Sequence, residues 1–138
     1  MEFIQLFNEL YNKFMEKYVG SDSYKNCFSN MSYKEVSYLS EIHIHKGISS
    51  VELAKKMGVT KSAVSQIISK MCCKGYVEKK KSNNDGRESK LYLTERIEKV
   101  YEENDKILSR IFDESLSSIS EEEKKALCSL LVKINKNL

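Results

Sequence analysis

The chain has 138 residues, 41% hydrophobic and 31% charged, with a formal net charge of +3, which suits one helical domain. It has no proline and only five glycines, so long unbroken helices are expected, and no apolar run approaches the roughly 18 residues of a membrane span. The N-terminus, MEFIQLFNEL, mixes acids with apolar residues and lacks a basic segment, so a signal peptide is not expected.

Residues 2–19 have the spacing of an amphipathic helix, with Phe3, Phe7, Leu10 and Phe14 on one stripe and Ile4, Tyr11 and Tyr18 beside it. So wide an aromatic face needs a partner, and a second subunit is the expected one. Residues 20–31 are polar and read as a loop, with a helical turn expected near Tyr24–Phe28. Ser32 and Glu35 make an S-x-x-E capping box. It opens a helix to about His45, with Val36, Leu39, Ile42 and Ile44 inward and Gly47 as the stop. Ile48 is expected to supply a short strand.

The next stretch, from Ser49 to Lys70, reads as two short helices joined by a tight turn. Ser49 and Glu52 form a second capping box, and Leu53, Ala54 and Met57 give the first helix an apolar face. Gly58 ends it in the manner of a left-handed C-cap, and Thr60 caps the second helix. Ala54, Gly58 and Val64 fall where steeply crossing helices need a small residue, a turn and a branched apolar residue. With Val64, Ile67, Ile68 and Met71 facing inward, Ser62, Ser65, Gln66 and Ser69 face out. Short hydrogen-bonding side chains of this kind can approach base edges in a major groove. An ordinary helical hairpin with a solvated outer face is the bland alternative.

Two strand-like runs follow at about 76–81 and 88–93, around the turn-forming Ser82-Asn83-Asn84-Asp85-Gly86. A helix-turn-helix followed at once by a hairpin is a winged helix. Arg87 at the tip suits entry into a minor groove, with Asp85 placed to hold its guanidinium or cap the turn. Thr94 is expected to cap a long helix over about 95–117, with Ile97, Val100, Tyr101, Ile107, Leu108, Ile111, Phe112 and Leu116 on one stripe. Asn104 lies in that stripe, where a polar residue can set register between paired helices. Ser120 and Glu123 form a third capping box, and the last helix carries Leu127, Leu130, Leu131, Ile134 and Leu138.

From Lys55 to Lys90 there are ten basic and three acidic residues, a local charge of +7 that leaves −4 for the rest. A basic centre that coincides with the helix-turn-helix and the hairpin is the footprint of nucleic-acid binding. Lys61, Ser62, Ser65, Gln66 and Ser69 are assigned to the major groove, with Lys61 and Lys70 toward phosphates. Lys79, Lys80, Lys81 and Lys90 add phosphate contacts from the wing.

Taken in order, SVELAKKMGVTKSAVSQIISKM, KGYVE, DGR and LYLT resemble the MarR (multiple-antibiotic-resistance regulator) family of transcription factors. Ile97 departs from the pattern, since many members carry glycine soon after the L-T pair. The resemblance implies a mainly α fold with a small β-wing (α+β), a winged helix-turn-helix over about 32–94. Residues 1–19 and 95–138 would form a helical dimerisation region within a single domain of residues 1–138. It also implies a cytoplasmic homodimer that reads a pseudo-palindromic double-stranded DNA operator as a repressor. A small phenolic or apolar-anionic effector would relieve it, binding near Tyr11, Tyr38 and His43. No cofactor, resident metal or enzymatic activity is expected.

Other constellations carry less. His43 and His45 lie two apart on a helix and point to different sides, and a metal site needs three or four ligands. Cys27, Cys72, Cys73 and Cys128 contain no C-x-x-C pair, and a chain with a real core needs no disulfide, so a reducing compartment is expected. Lys70 and Lys74 flank Cys72 and Cys73 and are expected to lower a thiol pKa, which keeps a redox-responsive regulator open. A metal-responsive regulator and a winged-helix protein-interaction module without DNA reading stay open beside it.

Overall fold

The computed structural model describes residues 1–21, 28–81 and 89–138. Along the chain run α1 (Phe3–Val19), α2 (Tyr33–Ile44), β1 (Ile48–Ser49), α3 (Ser50–Met57), α4 (Lys61–Cys73), β2 (Val77–Lys81), β3 (Ser89–Leu93), α5 (Glu95–Ser115) and α6 (Glu121–Asn135). The fold is a winged helix, mostly helical with one small antiparallel sheet, as expected. The chain divides into two compact units, one of Asp22–Asn104 and one of Met1–Ser21 with Asp105–Leu138. The expected turn near Tyr24–Phe28, Cys27, Asp85 and Arg87 lie wholly or largely outside the described residues.

In the unit of Asp22–Asn104 the local signals form as read. Ser32 and Ser49 accept from the amides of Glu35 and Glu52, and each glutamate accepts in return from its serine's amide. Gly58 takes φ 64°, ψ 34°, the left-handed conformation that lets α3 stop and α4 begin three residues later, at Lys61. The three strands lie in the order β1–β3–β2, with Ile48 opposite Leu91 and Val77 opposite Leu93. Tyr38, Leu39 and Ile42 of α2, Leu53 and Ala54 of α3, and Val64, Ile68 and Met71 of α4 close one core, while Ile44, expected inward at the end of α2, is 66% exposed. Leu91 and Leu93 of β3 and Ile97 and Tyr101 of α5 complete it. Ile97, the departure from the family pattern, is fully buried, so the branched side chain is used as core where a glycine would leave space.

The second unit holds α1, the later part of α5 and α6. The rings of Phe14 and Phe112 meet with centroids 4.9 Å apart, and Ile107 and Ile111 are buried. No residue of α1 or α6 is buried. Phe3 is 76% exposed, Leu10 63% and Leu130 55%.

Thr94 holds the cap position expected of it, its carbonyl accepting from the Glu98 amide at 2.9 Å, and it has a second role. Its hydroxyl donates to the Gly75 carbonyl, 2.8 Å away, and its amide donates to the Tyr76 carbonyl at 3.0 Å. It therefore joins the end of β3 to the residues just after α4.

Gly47 lies between α2 and β1 at φ +83°, with its amide donating to the Leu91 carbonyl. A Cβ there would stand 2.9 Å from the Tyr92 hydroxyl and 3.3 Å from Tyr92 Cζ. Gly47→Ala is expected to cost about 1–3 kcal/mol in a denaturant titration, through backbone strain and this collision. In a Tyr92→Phe background the nearest atom is gone and the cost should shrink. An equal cost in both backgrounds would place the whole penalty on the backbone.

Candidate nucleic-acid interface

The outward face of α4 is set by what the inward face must bury. Val64, Ile68 and Met71 are inaccessible to solvent, and Ile67 is half-buried against them. The 3.6-residue period then turns Ser62, Ser65, Gln66 and Ser69 to solvent. All four are exposed, as are Lys61 and Lys70 at the two ends of the row. Thr60 fixes where the row begins, because its hydroxyl accepts from the Ala63 amide at 3.1 Å. Gln66 and Lys70 also line a shallow groove of about 300 Å³ with Ser32 and Lys34 of the α2 N-terminus.

The wing adds Lys79, Lys80, Lys81 and Lys90, all exposed. Lys80 and Lys90 are direct cross-strand partners, an arrangement of like charges that is unfavourable without a counter-anion. The Lys80 ammonium lies 4.9 Å from the centre of the Tyr92 ring, which offsets part of that repulsion. Among the described residues, none of Lys61, Lys70, Lys79, Lys80, Lys81 and Lys90 pairs with a carboxylate. The short polar row and these cations belong to the same compact unit. Asp85 and Arg87 fall outside the described residues.

Lys74, in the same basic stretch, is different. It is the C-cap of α4, and its ammonium donates to Glu35 Oε1, 2.5 Å away. Glu35 is only 5% exposed, and its other oxygen accepts from the Ser32 amide at 3.0 Å. The Lys74 ammonium, and then the Ser32 amide, hold the Glu35 carboxyl below its ordinary value of 4.5, and Glu35 in turn raises Lys74 above 10.5. The sequence pattern identified Glu35 only as a cap and counted Lys74 only as charge. A pairing across 39 residues leaves no local periodicity to read.

The three residues suggested for an effector have different surroundings. Tyr38 is 2% exposed, within the core of its unit. His43 Nδ1 stands 2.8 Å from Glu98 Oε1, and its ring stacks on Tyr101 at 4.9 Å. Glu98 also receives the Lys46 ammonium at 2.6 Å, so His43 belongs to a polar cluster at the α2–α5 contact. Tyr11 is exposed on α1. A larger open depression, about 430 Å³, is charged, with Lys46, Lys80, Tyr92, Glu98 and Glu102 in its wall.

The thiol expectation is corrected at one position. Burial pushes the Cys72 thiol up, against a smaller opposing pull from Lys79, so the neighbouring lysines do not make it a ready thiolate. Cys73 and Cys128 are exposed. Among the described residues, no three His, Cys, Asp or Glu side chains gather in a metal-binding arrangement, and no helix is long and apolar enough to cross a membrane.

Comparisons with known proteins agree with this geometry. The MarR family model matches residues 31–89. The HTH-type transcriptional regulator BilQ of Clostridium symbiosum is 33% identical over 90 residues, which cover 65% of this chain and 62% of that protein. Two solved structures share the fold. Streptococcus pneumoniae FabT in complex with DNA has a TM-score of 0.69 at 20% identity, covering 96% of this chain and 92% of the other. S. aureus MepR bound to ethidium bromide has a TM-score of 0.72 at 19% identity, covering 99% and 96%.

The Glu35–Lys74 pair has a pH signature. A carboxyl held below its unfolded value stabilises the fold fully above 4.5 and loses that contribution as pH falls through the lower folded value. A lysine held above 10.5 keeps its contribution below that value and loses it as pH rises past the folded one. Between about pH 7 and about pH 3, the thermal midpoint of Glu35→Gln should therefore fall less steeply than that of wild type. Parallel acid limbs would show that the pair contributes nothing to stability.

Proposed function

We propose that the chain is a MarR-type transcriptional regulator, a reading supported by its match to the MarR family model and its likeness to BilQ, and that it works as a homodimer that reads a pseudo-palindromic double-stranded DNA operator. The observation that carries this reading is the union, in one unit, of a short polar row on α4 with six exposed lysines that have no carboxylate partner among the described residues. The row is the right length and chemistry for base edges. Lys61, Ser62, Ser65, Gln66 and Ser69 enter the major groove, while Lys61 and Lys70 also reach phosphates. Lys79, Lys80, Lys81 and Lys90 lie along the flanking backbone, where a phosphate relieves the repulsion between Lys80 and Lys90. Arg87 enters the minor groove, with Asp85 steadying it. The fold neighbour FabT was solved in complex with DNA, which supports DNA as the partner.

The exposed apolar residues of α1 and α6 support the dimer. Phe3, Phe7 and Leu10 on one helix and Leu130, Leu131 and Ile134 on the other are at least 48% exposed in the single chain. A second copy would cover them and place two α4 helices about 34 Å apart, one turn of DNA. In this arrangement residues 32–94 read DNA, and residues 1–19 and 95–138 hold the dimer within one domain.

The repressor mode and its relief by a small phenolic or apolar-anionic effector follow from the family resemblance. The neighbour MepR holds ethidium, an apolar aromatic cation, so ligand chemistry varies across this fold. Tyr11, Tyr38 and His43 remain the suggested contacts. Tyr38 is closed to solvent in this conformation, so an effector that used it would have to loosen α2.

Selection from a genomic fragment library, followed by fluorescence anisotropy on the enriched DNA, tests the reading. Binding should prefer that DNA over a scrambled control and fall about a thousandfold or more between about 50 and about 200 mM salt. Arg87→Ala should weaken binding on both DNAs. Equal, weak binding to all DNA would favour a protein-interaction module. In sedimentation, Leu130→Glu should convert dimer to monomer and abolish tight operator binding while leaving the winged-helix core intact. A variant that stays dimeric would move the interface elsewhere.

A further inference from the structure

We infer that Glu35 and Lys74 are positioning residues that set α4 against the wing, and that Lys74, despite its place in the basic stretch, does not contact DNA. The inference rests on the DNA-reading function proposed above and specifies how the reading surface is held.

Three observations lead to it. Among the described cationic residues from Lys55 to Lys90, only Lys74 has a carboxylate partner. Its charge is therefore already met inside the protein, whereas those of Lys61, Lys70 and the wing lysines are not. Glu35 is the one charged side chain buried among the described residues, and both its oxygens are in use. Glu35 is buried while Lys74 is exposed, so the pair adds little net stability compared with apolar packing, but it fixes direction, because misalignment leaves the buried Glu35 carboxylate without its counter-charge.

The third observation is what the pair is attached to. Residues 74–76 are the joint between α4 and β2. On one side Glu35 of α2 holds the Lys74 side chain. On the other, Arg96 donates to the Lys74 and Gly75 carbonyls at 3.5 and 3.4 Å, and the Thr94 hydroxyl donates to Gly75 at 2.8 Å. The Lys74 ammonium and the Arg96 guanidinium lie 5.7 and 5.6 Å from the centre of the Tyr76 ring. The joint is thus gripped from α2 and from the start of α5 together. Releasing Glu35 would free one grip and let the end of α4 shift relative to the wing.

The test uses the full chain and DNA enriched by wild type from a random library. If wild type enriches nothing, the DNA-reading function fails and the pair falls with it. If it does, wild type, Glu35→Gln, Lys74→Met, the double variant, Lys74→Arg and Lys70→Met are compared by anisotropy against salt, at a temperature where circular dichroism finds each folded. Glu35→Gln and Lys74→Met should each reduce the preference for enriched over scrambled DNA by about tenfold, near the lower end for one lost base contact. The slope of log affinity against log salt should stay at the wild-type value. The double variant should be no worse than either single one, and Lys74→Arg should keep the preference. Lys70→Met should lower the slope by about one and weaken both DNAs alike. A Lys74→Met variant that behaves like Lys70→Met, or that keeps full preference, would overturn the inference, and this arm decides even if Glu35→Gln fails to fold.

Discussion

The position of β3 in the middle of the sheet is the constraint on which the winged helix depends. Its neighbours come from opposite ends of the motif, β1 from just before α3 and β2 from just after α4. Leu91 is inaccessible to solvent, with Ile48 opposite it on one side and Lys79 on the other. A strand has a period of two, so slipping β3 by one residue would expose Leu91 and Leu93 and bury Lys90 and Tyr92. Register is therefore fixed by the core. Once it is fixed, both entry into α3 and exit from α4 are tied to one strand, and the helix-turn-helix closes on a ring of contacts rather than on its own short turn.

This explains how so small a motif holds a polar face to solvent. The helices α3 and α4 are too short to be stable alone, and most of their stability must come from packing. Leu53, Val64, Ile68 and Met71 meet residues of α2, β3 and α5 that are distant in sequence. The second unit follows the opposite rule. Its terminal helices keep most of their large apolar residues exposed, with none buried in α1 or α6.

What was legible in the sequence had a local cause. The capping boxes at Ser32, Ser49 and Ser120 formed as read because the serine and glutamate of each are three residues apart on one chain. Gly58 was legible because only a left-handed residue allows that turn, and β1 could be anticipated from Ile48 as an apolar residue between a helix stop and a cap. What escaped was set by contacts across the chain. Thr94 stands at its expected cap position, yet its hydroxyl also donates to the Gly75 carbonyl, 19 residues away, which no local pattern announces. Glu35 and Lys74 looked like a cap and a loose charge. Cys72 was judged by the lysines beside it in sequence, but its thiol responds chiefly to the core at its back.

The exposed row of α4 has a consequence for how such a protein changes over generations. The side chains of Ser62, Ser65, Gln66 and Ser69 make no hydrogen bond or ion pair within the described chain, and the burial that folds α4 is on its opposite side. Replacing them with other helix-compatible polar residues leaves the scaffold essentially as stable as before. Mutational drift along this row is therefore nearly neutral for folding, and a gene duplicate could acquire a different surface preference without first acquiring compensating changes in its core.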